Sequence, residues 1–300
     1  MNQVVFYLMT EKGLAVLESA IKNGHSKQIA YVVIGEDKNL TQDFSEAIKT
    51  VCVSAEIPFD LDTNKPTVPK SNYAIAISWR WIIPITDRKL IIIHDSLLPK
   101  QRGFAPLVTA LMNKETTIGA TAIVASEEYD RGDIICQIAR SIEYPIKIQS
   151  AIQIVSEIYE ELVEQILITL DQNRILETTP QVENLATYSV WRDEEDYLID
   201  WSKSAEDIQL KVDATGYPYK SASSYVNNTL VRILDVTVIP DVKIENRDHG
   251  KIIFMNENKP VVICGTGLLR IDHGLNDDGT DFLPLKMFRV RFKQSVSGNN

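Results

Sequence analysis

The chain has 300 residues, 44% hydrophobic and 24% charged, with a net charge of −10; that suits an ordinary globular protein of two domains or one large one. No apolar run approaches the ~20 residues of a membrane helix, and the residues ahead of the first apolar stretch are too few and too uncharged for a signal peptide, so the expected compartment is the cytoplasm. From Trp201 onward 13 basic residues face 12 acidic ones, which leaves −11 on the first 200; with no basic block, a nucleic-acid partner is not expected.

Residues 4–9 form a short β run. Thr10-Glu11-Lys12-Gly13 reads as a turn into a helix over 14–21, where Leu14, Val16, Leu17, Ala20 and Ile21 make an apolar face. Asn23-Gly24 ends it. A second strand at 29–34, a helix over 43–55, a third strand at 73–78 and a fourth at 90–93 follow. This alternation predicts an α/β fold with a doubly wound, mostly parallel sheet. The first βα turn holds one glycine, Gly13, so the dinucleotide fingerprint of a NAD-type oxidoreductase is missing.

The fourth strand stops at His94, and a polar, proline-broken loop follows. Ligands of open α/β sheets bind past the carboxyl ends of strands, so a titratable His delivered there is a site candidate. The plain alternative is a core strand that ends in His. Next come a short helix over 105–114, a strand at 118–124, and the acidic loop Ser126-Glu127-Glu128-Tyr129-Asp130-Arg131-Gly132-Asp133. A strand at 134–139 leads to a long amphipathic helix over 148–170. From about residue 203 the texture changes to one short helix, 205–212, then β runs at 230–239, 250–255, 260–264, 268–273 and 288–292, as in a small barrel or sandwich. We place the domains at 1–200 and 201–300. Gly265-Thr266-Gly267 suits a hairpin turn better than a phosphate loop. Cys52, Cys136 and Cys264 fit neither zinc-ligand spacing nor a disulfide framework and read as reduced, with no metal site.

The ordered set His94-Asp95-Ser96-Leu97-Leu98-Pro99-Lys100-Gln101-Arg102-Gly103, Pro106, Ile118-Gly119-Ala120-Thr121 and Asp130-Arg131-Gly132-Asp133-Ile134-Ile135 resembles the formyltransferases that use N10-formyltetrahydrofolate. That family includes methionyl-tRNA formyltransferase and the nucleotide-sugar N-formyltransferases. Ile199-Asp200-Trp201 and the β-rich tail look like the family's linker and OB-like C-terminal domain, so the resemblance spans nearly the whole chain. It implies a Rossmann-like formyltransferase sheet followed by an OB-like β-rich domain, with N10-formyltetrahydrofolate as cosubstrate.

By the same resemblance, His94 would be the general base that takes the proton of the attacking amine, and Asp130 its partner. Asp-x-Gly is also ordinary turn chemistry. The cosubstrate would lie beside Trp79, Trp81, Ile82 and Ile83 and the loop residues Ser126, Glu127 and Tyr129; core packing suits the two tryptophans equally well. Ser96, Arg102 and Gly103 would face the acceptor. Two roles fit Arg102, a fork for a phosphate or carboxylate and a brace for its own loop.

Two positions depart from the family pattern. Ile92 stands where the family has the Asn of Asn-x-His, and Ile123 where many members have the His of Thr-x-His. An oxyanion donor of the kind that Asn supplies is worth ~2.7–4 kcal/mol of barrier. Three outcomes follow: a transferase with another donor, a slow one, or a folate- or nucleotide-binding relative without the chemistry. The acidic balance favours a small acceptor, a nucleotide-linked amino sugar, over tRNA, which remains the alternative. A homodimer is one possible assembly. Tyr217-Pro218-Tyr219-Lys220 and Tyr225 suit either a packed seam or an aromatic docking surface.

Overall fold

The computed structural model describes residues 2–36, 42–61, 66–84, 88–285 and 287–295. The chain divides into two compact units, one of residues 1–107, 116–142 and 150–191, the other of 108–115, 143–149 and 192–300.

In chain order to residue 191 the elements are β1 (Val4–Leu8), α1 (Thr10–Lys22), β2 (Ile29–Ile34), α2 (Ser45–Ser54), β3 (Phe59–Asp60), β4 (Tyr73–Ile77), β5 (Lys89–His94), β6 (Arg102–Gly103), α3 (Pro106–Met112), β7 (Thr117–Val124), β8 (Ile134–Ser141), α4 (Ile148–Asp171) and β9 (Tyr188–Ser189). Seven strands form one sheet in the order β3-β2-β1-β4-β5-β7-β8. β1 pairs in parallel with β2 and β4, and β4 with β5, while β7 runs antiparallel to both β5 and β8. The sheet is therefore mostly parallel, with an antiparallel flank. β1 is buried at every residue, which explains its continuous apolar run, because strands covered on both faces do not alternate. The order reverses between β1 and β4, and that reversal makes the carboxyl ends of β1, β4 and β5 the natural place for a ligand.

Thr10 to Gly13, expected to form a turn, are the first turn of α1 instead. Glu11 in the first turn and Lys22 in the last complement the helix dipole. Gly24, at φ +89°, closes the helix while the N–H of His25 returns to the carbonyl of Ala20.

In the second unit, α5 (Ala205–Thr215) is followed by β10 (Ala222–Val226), β11 (Thr229–Ile239), β12 (Ile252–Asn256), β13 (Lys259–Ile263), β14 (Leu268–Asn276) and β15 (Phe292–Lys293). The strands form an antiparallel sheet in the order β12-β13-β14-β11-β10-β15. Ser204 caps α5 by accepting the N–H of Asp207 at 3.0 Å. The helix sinks Ile208 and Val212 into a core with Trp201, Ile233, Leu269 and Phe292. The strand expected at 288–292 is only the two residues of β15. Gly265 and Gly267 link β13 to β14 as expected of a hairpin turn, and a Cβ on Gly265 would lie 1.8 Å from the carbonyl oxygen of Ser202. Among the described residues no helix is long and apolar enough to cross a membrane.

Candidate active site

His94 is the last residue of β5 and is buried. One ring nitrogen, Nε2, lies 2.9 Å from the carbonyl oxygen of Gln101. A carbonyl can only accept, so Nε2 carries the proton. In the neutral ring the lone pair is then on Nδ1, which faces Asp130 Oδ1 at 3.6 Å. That separation is too long for a hydrogen bond and short enough for strong electrostatic coupling. A proton arriving at Nδ1 would be stabilised by the carboxylate.

Asp130 is fixed from two sides. Its Oδ2 accepts the N–H of Gly103 at 2.8 Å. Its carbonyl, with that of Gly132, accepts the carboxamide N–H groups of Gln181 at 2.7 and 2.8 Å. Gly103 has φ +100°, and a Cβ there would sit 2.4 Å from the carbonyl oxygen of Ser189. Glycine is required because β6 and β9 pair in parallel at that residue.

Arg102, expected to meet the acceptor or brace the loop, is 1% exposed. Its guanidinium donates to Gln181 Oε1 at 3.1 and 2.8 Å and to Glu183 at 3.0 and 2.9 Å. Of the two expected roles it fills the brace, through the side chains of Gln181 and Glu183. Ser96 likewise turns inward. Its hydroxyl donates to the carbonyl of Lys100 at 2.7 Å and its N–H to that of His94 at 2.9 Å. Thr121, level with His94 across the β5–β7 pair, donates to the carbonyl of Ser96 at 2.6 Å and accepts the N–H of Leu98 at 3.1 Å.

A second network lies at the same strand end. Asp95 ion-pairs with Lys12 of α1 and accepts the phenol of Tyr159 from α4, whose oxygen also lies 2.9 Å from the carbonyl oxygen of Ile93. Burial pushes the Asp95 carboxyl up, but the Lys12 ammonium and the hydrogen bonds from Lys12 and Tyr159 outweigh it and hold the group below its ordinary range. Burial, reinforced by Asp95, pushes the Tyr159 phenol well above its usual value.

Ile92 and Ile123 stand directly opposite each other in the β5–β7 register. The two departures from the family pattern are thus one change, an apolar pair where two polar groups would meet. Ile92 packs in a cluster with Tyr7, Trp79, Ile83 and Ala125. Trp79 lies edge-on to both Tyr7 and Trp81, each at 5.1 Å between centroids. Trp81 is 43% and Ile82 81% exposed, while Ile83 packs on the cluster. Ser126, Glu127 and Tyr129 are exposed, and the Ser126 hydroxyl donates to the carbonyl of Glu128 at 2.7 Å.

Residues 72–165 match the family described as formyl transferase, and residues 192–287 match the formyl transferase C-terminal domain. The chain belongs to the formyl transferase family. It is 30% identical to the methionyl-tRNA formyltransferase of Syntrophomonas wolfei over 67% of its own length and 65% of that enzyme's. Among solved structures, HypX from Aquifex aeolicus in complex with tetrahydrofolic acid shares the fold at TM-score 0.64 and 21% identity, over 92% of this chain and 44% of that one. The N-formyltransferase from Helicobacter canadensis, in complex with folinic acid and dTDP-3-aminofucose, shares it at TM-score 0.67 and 17% identity, over 90% and 99%. Within this formyl transferase, Gln181, Glu183, Lys12 and Tyr159 are the residues at the site that sequence reasoning missed. Each lies about 50 residues or more from its partners, and only the fold brings them in.

Proposed function

We propose that this chain moves a formyl group from N10-formyltetrahydrofolate to a primary amine, that of a nucleotide-linked amino sugar. The observation that carries the reading is the placement of the His94 ring: Nε2 lies 2.9 Å from the Gln101 carbonyl oxygen, and Nδ1, the nitrogen proposed as the base, faces Asp130 Oδ1 at 3.6 Å. An amine attacking a formyl carbon must lose a proton. Nδ1 takes it, and Asp130 stabilises the imidazolium that results.

The residues beyond β4 fit a folate. A pterin is flat and presents ring nitrogens and a carbonyl as acceptors. Trp79 Nε1, an obligate donor, is buried and has no hydrogen-bond partner among the described residues. Ile83 and the exposed faces of Trp81 and Ile82 supply apolar walls. Trp79, Trp81, Ile82 and Ile83 would hold the ring, and the Ser126–Tyr129 loop would flank it. When bound, the folate supplies a formyl carbon activated by its attachment to N10.

The acceptor reading rests on charge. A sugar nucleotide has few phosphates, and a chain of net charge −10 without a basic block suits it better than a tRNA. One observation favours a second reading: the similar Syntrophomonas protein is a methionyl-tRNA formyltransferase. Wild-type protein and the His94→Ala variant, each mixed with formyl-folate and a panel of amino sugar nucleotides, should differ. The wild type adds one formyl group by mass and the variant none. Formylation of charged initiator tRNA with no sugar product would replace the first reading by the second. Folate binding without any turnover would leave a binding protein.

A further inference from the structure

Attack on a formyl carbon drives negative charge onto its oxygen, and a transferase needs a donor aimed there. Position 92 cannot provide one, because Ile92 lies against Ile123 and the apolar cluster around Trp79. Ser96 cannot either, since its hydroxyl and its N–H are both spent within the loop.

A buried hydroxyl with nothing to bond stands close by. Ser78 Oγ is shielded from solvent and has no hydrogen-bond partner among the described residues. Buried polar atoms are rarely left unpaired without a use, because the water they give up is not replaced. The residue is also held at φ +53°, a left-handed conformation that costs a non-glycine residue and collects at functional sites. Its place is set by register. β4 and β5 pair in parallel with Ala76 level with Ile92 and Ile77 level with Ile93. Ser78 follows the last residue of β4, Ile77, and His94 follows Ile93 at the end of β5, so both stand at the carboxyl ends of neighbouring strands.

We propose that the Ser78 hydroxyl donates to the formyl oxygen as it becomes negative, replacing a carboxamide lost at position 92. The inference rests on the reading of His94 as the base. The amine nitrogen forms a bond to the formyl carbon as the carbonyl pair moves onto oxygen, where Ser78 Oγ–H meets it. The amine's proton goes to His94 Nδ1. The pair on oxygen then re-forms the carbonyl, the carbon–N10 bond breaks, and the proton passes from His94 to the departing nitrogen. Ser78 gives up no proton, and nothing is oxidised or reduced.

The test uses the full chain with formyl-folate and a dTDP-linked 3-amino sugar or charged initiator tRNA as the acceptor probe. Ser78→Ala and Ser78→Gly should each lower kcat about 100- to 1000-fold with both KM values within about threefold of wild type. Glycine accepts the positive φ without strain, so a loss shared by both variants is a loss of the hydroxyl and not of the fold, which melting curves verify. Restoring a carboxamide through Ile92→Asn in the Ser78→Ala background should recover at least about tenfold. A kcat within threefold of wild type in both Ser78 variants overturns the proposal, as does a loss carried by KM alone. Equal turnover by wild type and His94→Ala, or none by wild type on either probe, overturns instead the reading on which it rests.

Discussion

Replacing Asp130 by Asn isolates what the carboxylate does for His94. Asn is among the few residues that tolerate the +56° φ of this position. Its carbonyl oxygen can still accept the N–H of Gly103, so the loop should hold. Two things change. The amide N–H then points at the Nδ1 lone pair and occupies it, and the charge opposite the imidazolium disappears. At the observed 3.6 Å and an effective dielectric of about 20, that charge is worth about 4.6 kcal/mol. The Asp130 side chain is 14% exposed, so solvent takes part of this, and about 3–4 kcal/mol remains, a factor of about 100 to 1000 in rate. Steady-state kinetics should show the drop in kcat with KM nearly unchanged and a melting temperature within a few degrees of wild type. A variant that keeps kcat within about tenfold would refute the pairing of Asp130 with a protonated His94.

Other outcomes follow from the same contacts. Gly103→Ala places a Cβ 2.4 Å from the Ser189 carbonyl at φ +100°, which should cost about 2–4 kcal/mol, lower the melting temperature and, by loosening the N–H that holds Asp130, lower kcat as well. Arg102→Met leaves Gln181 Oε1 without its donor, and about 2–3 kcal/mol of stability should be lost, read as a fall in denaturant midpoint, while KM for the acceptor stays unchanged if the guanidinium meets no substrate. Asp95 is held below its ordinary range in the folded chain, so its contribution is present above the unfolded value of about 3.9 and is lost as pH falls through the lowered folded value. Lys12→Met should therefore destabilise by about 2–3 kcal/mol at pH 7, and the gap from wild type should close in denaturation curves taken at progressively lower pH, below about 4.

Much of the sheet was legible because buried parallel strands are written as unbroken apolar runs, and β1, β2, β4 and β5 all have that form. That His94 and Asp130 come together was legible because their loops carry motifs in a fixed order. β10 was not, because Ala222-Ser223-Ser224-Tyr225-Val226 reads as polar. Both serines are nevertheless fully buried, and Ser224 pairs with Trp201 Nε1 at 3.0 Å, a partner that pattern cannot show. The start of α1 was missed for a related reason: no side chain caps it. The departures at Ile92 and Ile123 look independent along the chain and become one apolar pair only through the β5–β7 register. Gln181 and Glu183 sit in a stretch without periodicity, and their roles depend wholly on where that stretch returns.

The identity of the amine is the claim most in need of measurement. Wild-type protein, formyl-folate, charged initiator tRNA and a dTDP-linked 3-amino sugar in one vessel would compete for the same formyl group, and the two products can be counted separately. The expected result is that formyl appears on the sugar nucleotide with the larger kcat/KM and that His94→Ala abolishes it. Formyl found on the tRNA alone would contradict it.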